Sequence, residues 1–120
     1  MITLFESYLI AHIIGDYLLQ TENEANQKAQ LKFFNWPLVI HVIKYTLCLV
    51  VPTIYFQVSP MWLIWIFGTH YLLDRRAFVI WWRKSIMRNS RESIKDTFWL
   101  TIVVDQIFHI LVIAVICIFG

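Results

Sequence analysis

Four long apolar stretches, residues 3–19, 37–56, 61–82 and 97–119, occupy most of the 120-residue chain. A helix needs about 20 mostly apolar residues to cross roughly 30 Å of hydrocarbon, so each stretch has about the length of a membrane span. Only residues 20–36 and 83–96 form connections of any size. Residues 57–60 (Gln-Val-Ser-Pro) allow nothing but an antiparallel hairpin, and Pro37 and Pro60 suit helix starts. A closed barrel would need at least about eight strands of alternating polarity, a pattern this chain lacks. Composition agrees: 59% of residues are hydrophobic, 15% are charged and mean hydropathy is +0.64. Soluble chains carry about 25% charged residues. So small a chain has too little interior to hide that much apolar side chain from water. The expectation is an all-α polytopic membrane protein, a single transmembrane domain over residues 1–120 built as an antiparallel four-helix bundle.

The basic residues orient the spans. Lys28 and Lys32 fall in the first connection, and Arg83, Lys84, Arg88, Arg91 and Lys95 in the second. Positive charge marks the cytoplasmic side, so both connections face the cytoplasm and both termini lie outside a cell inner membrane. Trp36, Trp81, Trp82 and Trp99 then anchor the inner interface, and Trp62 and Trp65 the outer one. Residues 22–34 suit a short surface helix dipping Leu31, Phe33 and Phe34 into lipid. The N-terminus lacks a basic leader, and Glu6, His12 and Asp16 interrupt its apolar run, so it does not read as a cleaved signal peptide. Glu6 is expected to be wet. Cys48 and Cys117 differ in depth by about 14 Å, too far for a bridge, and read as two buried thiols. The stretch 83–95 suits anionic headgroups rather than nucleic acid, and no glycine-rich phosphate loop or GxSxG motif is present.

Ionisable residues at membrane depth are costly, which makes each a candidate for function. All four histidines lie in the spans: His12 with Asp16, His41, His70 with Asp74, and His109 with Asp105. Three of these are His/Asp pairs at i, i+4, a spacing that puts both side chains on one helical face. Because spans three and four run in opposite directions, HxxxD faces DxxxH with like residues level. His70 and His109 then sit about 18 Å from the inner ends, and Asp74 and Asp105 about 12 Å. Seven potential ligands thus gather in the inner half of the bundle.

Imidazole with carboxylate is the ligand set of zinc, with iron or manganese as alternatives. One divalent ion plus Lys44 would balance Asp16, Asp74 and Asp105. Two other readings use the same residues: a metal-free hydrogen-bond network joining the helices, and a proton or ion path. Lys44, Arg75 and Arg76 are candidates to clamp an anionic group, though each also suits snorkelling to the interface. Gly15 suits close helix packing, and Gln20, Tyr45, Thr101 and Gln106 could orient the ligands by hydrogen bonds.

The block Ala11-His12-Ile-Ile-Gly15-Asp16-Tyr-Leu-Leu-Gln20-Thr21, with Ala25 and Lys28 behind it, resembles the opening signature of a small bacterial and phage membrane family, domain of unknown function 3307. His41, His70-x-x-x-Asp74 and Asp105-Gln106-x-x-His109 match its remaining blocks in order. The resemblance covers essentially the whole chain and implies a polytopic membrane protein without assigning an activity. That family usually has a basic residue after the third-span Asp, where this chain has Arg75-Arg76. A looser similarity, in chemistry and layout, is to membrane-bound metal-dependent hydrolases.

The leading expectation is an intramembrane metal-dependent hydrolase. Some of His12, Asp16, His41, His70, Asp74, Asp105 and His109 hold a divalent ion, and Asp16, Asp74 or Asp105 supplies a general base. Lys44, Arg75 or Arg76 grips an anionic lipid or other phosphorylated substrate. The rival expectations are a metal-ion, proton or small-solute transporter, as a homo-oligomer in a chain this short, and a structural or regulatory membrane partner.

Overall fold

The computed structural model describes residues 1–18 and 35–120, and every regular element among them is helical. The surface helix expected over 22–34, Gln20, Lys28 and Lys32 lie outside the described residues.

Helix α1 (Leu4–Ile13) opens on a reciprocal cap. Glu6 N–H donates to Thr3 Oγ1 at 3.1 Å, and Thr3 N–H donates to Glu6 Oε2 at 2.9 Å. Glu6 is exposed, as expected, but it is also what closes this cap. The chain then widens into a π-helical turn, Ile14–Leu18, that carries Asp16. Helix α2 (Trp36–Tyr55) starts on Asn35, whose Oδ1 accepts from Leu38 N–H at 2.8 Å, with Pro37 in the first turn. Its exit is a Schellman turn: Val58 N–H donates to Thr53 O at 2.9 Å and Gln57 N–H to Ile54 O at 3.1 Å. Gln57, at φ 56°, occupies the left-handed position usually given to glycine.

The third apolar stretch is divided. Helix α3 (Met61–Asp74) ends at the Arg75-Arg76 pair, where Arg76 takes φ 64°, and helix α4 (Ala77–Ser85) follows. Fourteen residues rise about 21 Å, short of a full crossing for α3 alone. Two further helices follow, α5 (Arg91–Asp96), capped by Ser90, and α6 (Phe98–Phe119). Among the described residues, α2 and α6 are the two helices long and apolar enough to cross a membrane.

Helices α1, α2, α3 and α6 close a ring in which α1 and α3 each touch both α2 and α6; α4 leans on α3 and α6. An apolar core of Tyr8, Leu49, Ile66, Ile113 and Ile116 fills one part of the ring, with Val58 of the Schellman turn packed into it. Cys48 and Cys117 border this core as half-buried, unbridged thiols. Polarity is inverted relative to a water-soluble bundle. His12, Asp16, His41, His70, Asp74, Asp105 and His109 are buried, while Ile40, Leu47, Ile54, Ile64, Trp99, Ile107 and Leu111 are exposed.

Candidate metal centre

Four atoms from three parts of the ring crowd together. The π turn brings Asp16, α2 brings His41, and the last turn of α3 brings His70 and Asp74. His41 Nε2 stands 3.0 Å from Asp16 Oδ1, 2.8 Å from Asp74 Oδ2 and 3.1 Å from His70 Nε2. His70 Nε2 is 2.9 Å from Asp74 Oδ2 and 3.4 Å from Asp16 Oδ1. All four residues are almost wholly inaccessible.

Hydrogen bonds and ion pairs account for part of this packing, but each imidazole Nε2 has more partners within reach than a single hydrogen can serve. A neutral imidazole nitrogen either carries one in-plane proton or presents one lone pair. If both Nε2 atoms carry protons, the two N–H groups oppose each other at 3.1 Å; if one does not, its lone pair faces carboxylate oxygens in a dry site. A metal cation is one group that could satisfy all four ligand atoms at once. Ligands held at about 2.0–2.2 Å stand about 3.3–3.6 Å apart around a tetrahedral ion, or about 2.8–3.1 Å apart as neighbours in an octahedron. The observed separations, 2.8 to 3.4 Å, fall in that range. Asp16, His70, Asp74 and His109 likewise present ligand atoms that all lie within 4.8 Å of one another, a buried group that could hold a metal ion.

The surrounding side chains hold this cluster by particular bonds. His109 Nδ1–H donates to the Asp105 carbonyl at 2.7 Å, which fixes the tautomer and leaves Nε2 as the ligating face. That Nε2 faces Asp74 Oδ1 at 3.3 Å. His12 uses both ring nitrogens elsewhere: Nε2–H donates to Gln106 Oε1 at 2.8 Å, and Nδ1 accepts from the Tyr45 hydroxyl at 2.7 Å. Its Nε2 is 4.0 Å from Asp16 Oδ2. Gln106 then donates through Nε2 to Asp16 Oδ2 at 3.2 Å. The Tyr45 ring lies flat on His70, centroids 3.6 Å apart. Asp105 Oδ1 sits 3.6 Å from His109 Nδ1, on the far side of the imidazole from Nε2.

The remaining expected site residues spread outward. Lys44, on α2, is half-buried. Arg75 lines an apolar groove of about 440 Å³ with Trp65, Leu72, Phe78, Phe108 and Leu111. The Arg76 guanidinium lies over the Phe98 ring, 5.2 Å from its centroid. Thr101 is turned away to another partner: its hydroxyl accepts from Arg83 Nη1 at 3.0 Å.

Arg83 is a residue whose place the sequence conceals. Grouped there with the loop cations, it is fully buried. Its guanidinium also donates to Asn89 Oδ1 at 2.8 Å, to Thr97 O at 3.0 Å and to Thr97 Oγ1 at 2.8 Å, fastening α4 to the start of α6. Lys84, Arg88, Arg91 and Lys95, by contrast, are exposed. The Arg83 acceptors, Asn89, Thr97 and Thr101, lie 6 to 18 residues downstream, too scattered to single it out in the sequence.

Residues 4–120 match the family described as Protein of unknown function (DUF3307). Neither a curated protein nor a solved structure matches the chain.

Proposed function

The chain belongs to the DUF3307 family of proteins of unknown function, and from that premise we propose that it is an integral membrane protein whose buried cluster holds a divalent metal ion for hydrolysis of an anionic, lipid-like substrate. The observation that carries the reading is the set of short separations among Asp16 Oδ1, His41 Nε2, His70 Nε2 and Asp74 Oδ2, 2.8 to 3.4 Å in a dry interior. The inverted polarity of the bundle supports a lipid setting. A cluster of this kind is tolerated in hydrocarbon when neutralised, and a girdle of exposed Ile, Leu and Trp is stable against acyl chains. On this reading the termini lie outside an inner membrane and the basic segments inside.

Asp16, His41, His70 and Asp74 would hold the ion, most simply zinc, with iron or manganese compatible with the same donors. When bound, such an ion supplies Lewis acidity and makes a hydroxide nucleophile accessible near neutral pH. The chain's own residues do the rest. His12 and Gln106 hold Asp16 in its orientation, and Tyr45 holds both His12 and the plane of His70. Asp105, outside the four-atom cluster, stands behind His109 with Oδ1 3.6 Å from Nδ1, where it holds that imidazole toward Asp74. Arg75 stands at the groove beside Asp74, where it would meet an anionic headgroup while an acyl or isoprenoid chain lies against Leu72, Phe78 and Leu111.

The test is elemental analysis of the full chain purified in detergent, coupled to an assay of phospholipid or isoprenoid-phosphate hydrolysis. Stoichiometric metal in the natural protein, its loss in His70→Ala, and metal-dependent turnover are the expected results. A folded protein that takes up no divalent ion overturns the reading. Metal-bound protein that moves ions across vesicles and turns over no lipid overturns hydrolysis and leaves the metal site.

A further inference from the structure

The cluster presents more donor atoms than one ion uses. Asp74 divides its carboxylate between two sets of imidazoles: Oδ2 stands 2.8 Å from His41 Nε2 and 2.9 Å from His70 Nε2, while Oδ1 faces His109 Nε2 at 3.3 Å. His109 comes from α6, and its ring meets His70 edge-on, centroids 4.6 Å apart. Because Nδ1–H is committed to the Asp105 carbonyl, Nε2 is the nitrogen turned toward Asp74 and the one open to a metal ion. This atom is buried and makes no hydrogen bond among the described residues. An imidazole nitrogen and a carboxylate oxygen 3.3 Å apart in a buried site need a positive charge between them, which a proton or a shared metal ion supplies.

Asp16 is placed to complete this second set. One of its oxygens belongs to the same group of ligand atoms as His109 and Asp74, all within 4.8 Å of one another. Its two oxygens also point to different neighbours, Oδ1 to His41 at 3.0 Å and Oδ2 to Gln106 at 3.2 Å. Paired metal ions in hydrolytic sites stand about 3.5–4 Å apart, a span that one carboxylate bridges.

We propose that the centre is dinuclear: a second divalent cation sits between His109 Nε2 and Asp74 Oδ1, and the Asp74 carboxylate bridges it to the ion held by Asp16, His41 and His70. This rests on the reading that the first four atoms hold a metal. A single ion ringed by those four is closed, in the manner of a structural site, whereas an ion at the His109 position would take fewer ligands from the protein and keep coordination positions for other ligands. Two divalent ions also outweigh the three carboxylates of Asp16, Asp74 and Asp105. The pair therefore calls for an anionic ligand, a hydroxide or an oxyanion, to balance it.

Manganese(II) tests this directly. Full-length protein stripped with chelator and dialysed against Mn(II) in detergent is expected to bind about two equivalents per chain and to give the exchange-coupled electron paramagnetic resonance spectrum of a bridged pair. His109→Ala should bind half as much and show the uncoupled signal of an isolated ion. Natural protein that saturates at one uncoupled equivalent overturns the second position and leaves the first. Two equivalents without coupling overturn the Asp74 bridge. No binding of Mn(II) or Zn(II) overturns the metal reading itself. Should His109→Ala fail to fold, coupling in the natural protein decides.

Discussion

Gly15 and Tyr45 meet backbone to backbone: a Cβ added at Gly15 would stand 2.9 Å from Tyr45 Cδ2 and 3.1 Å from Tyr45 Cα. Tyr45 cannot retreat, because its ring is stacked on His70 and its hydroxyl is bonded to His12. Gly15→Ala gains about 1 kcal/mol of helix propensity but forces an overpacked contact costing about 1–3 kcal/mol. The expected outcome is a net loss, read as a lower midpoint of thermal unfolding in detergent. An unchanged or higher midpoint would show that the π turn and α2 can part at no cost.

Tyr45→Phe isolates the hydroxyl. The stacking on His70 survives, but His12 Nδ1 loses its donor in a buried site, which costs about 1–3 kcal/mol. His12→Phe alone also strips Gln106 Oε1 of its donor, so the double variant should lose less than the sum of the two single losses. Additive losses in the double variant would mean that the pair is not coupled.

Arg83→Lys removes the planar fork that reaches Asn89, Thr97 and Thr101 together. A lysine offers one ammonium in place of three separated nitrogens, so a destabilisation of about 2 kcal/mol or more is expected. Arg88→Lys, at an exposed position, should change stability by less than about 0.5 kcal/mol. Equal effects at the two positions would overturn the structural role assigned to Arg83.

Metal should stabilise the folded chain by mass action. Free zinc at a hundred times its dissociation constant adds about 2.7 kcal/mol when only the native state binds it. Chelator should therefore lower the unfolding midpoint of the natural protein, and His70→Ala should abolish the difference between chelated and loaded samples. Identical midpoints with and without zinc in the natural protein would contradict a metal at this cluster.

The helical architecture was legible because its signals are local and redundant. The apolar runs over 3–19, 37–56 and 97–119 and Pro37 at a helix start point to helices that form. The i, i+4 spacing of His70 and Asp74 likewise brings both to one point. What was not legible depends on residues acting against their usual preference. Gln57 and Arg76 take left-handed backbone with no glycine or proline to announce it, so the division of the third stretch was invisible. Arg83 sits among cations that are solvated, and nothing in its spacing distinguishes it from them. His12 looks like His70, four residues before an aspartate, yet the π turn and the reach of Gln106 give it different partners. Only three-dimensional packing separates a residue within the cluster from one that holds it.

The division of the third apolar stretch has an electrostatic consequence for the cluster. Asp74 is the last residue of α3, and the peptide dipoles of that helix add up to about half a negative elementary charge at its C-terminal end. That partial charge is delivered beside the carboxylate, in an interior with little water to screen it. Had the helix run unbroken to residue 82, the same field would emerge about two turns further along. By stopping short, α3 delivers its negative end at Asp74 itself, and the opposed positive end of α4 begins only at Ala77.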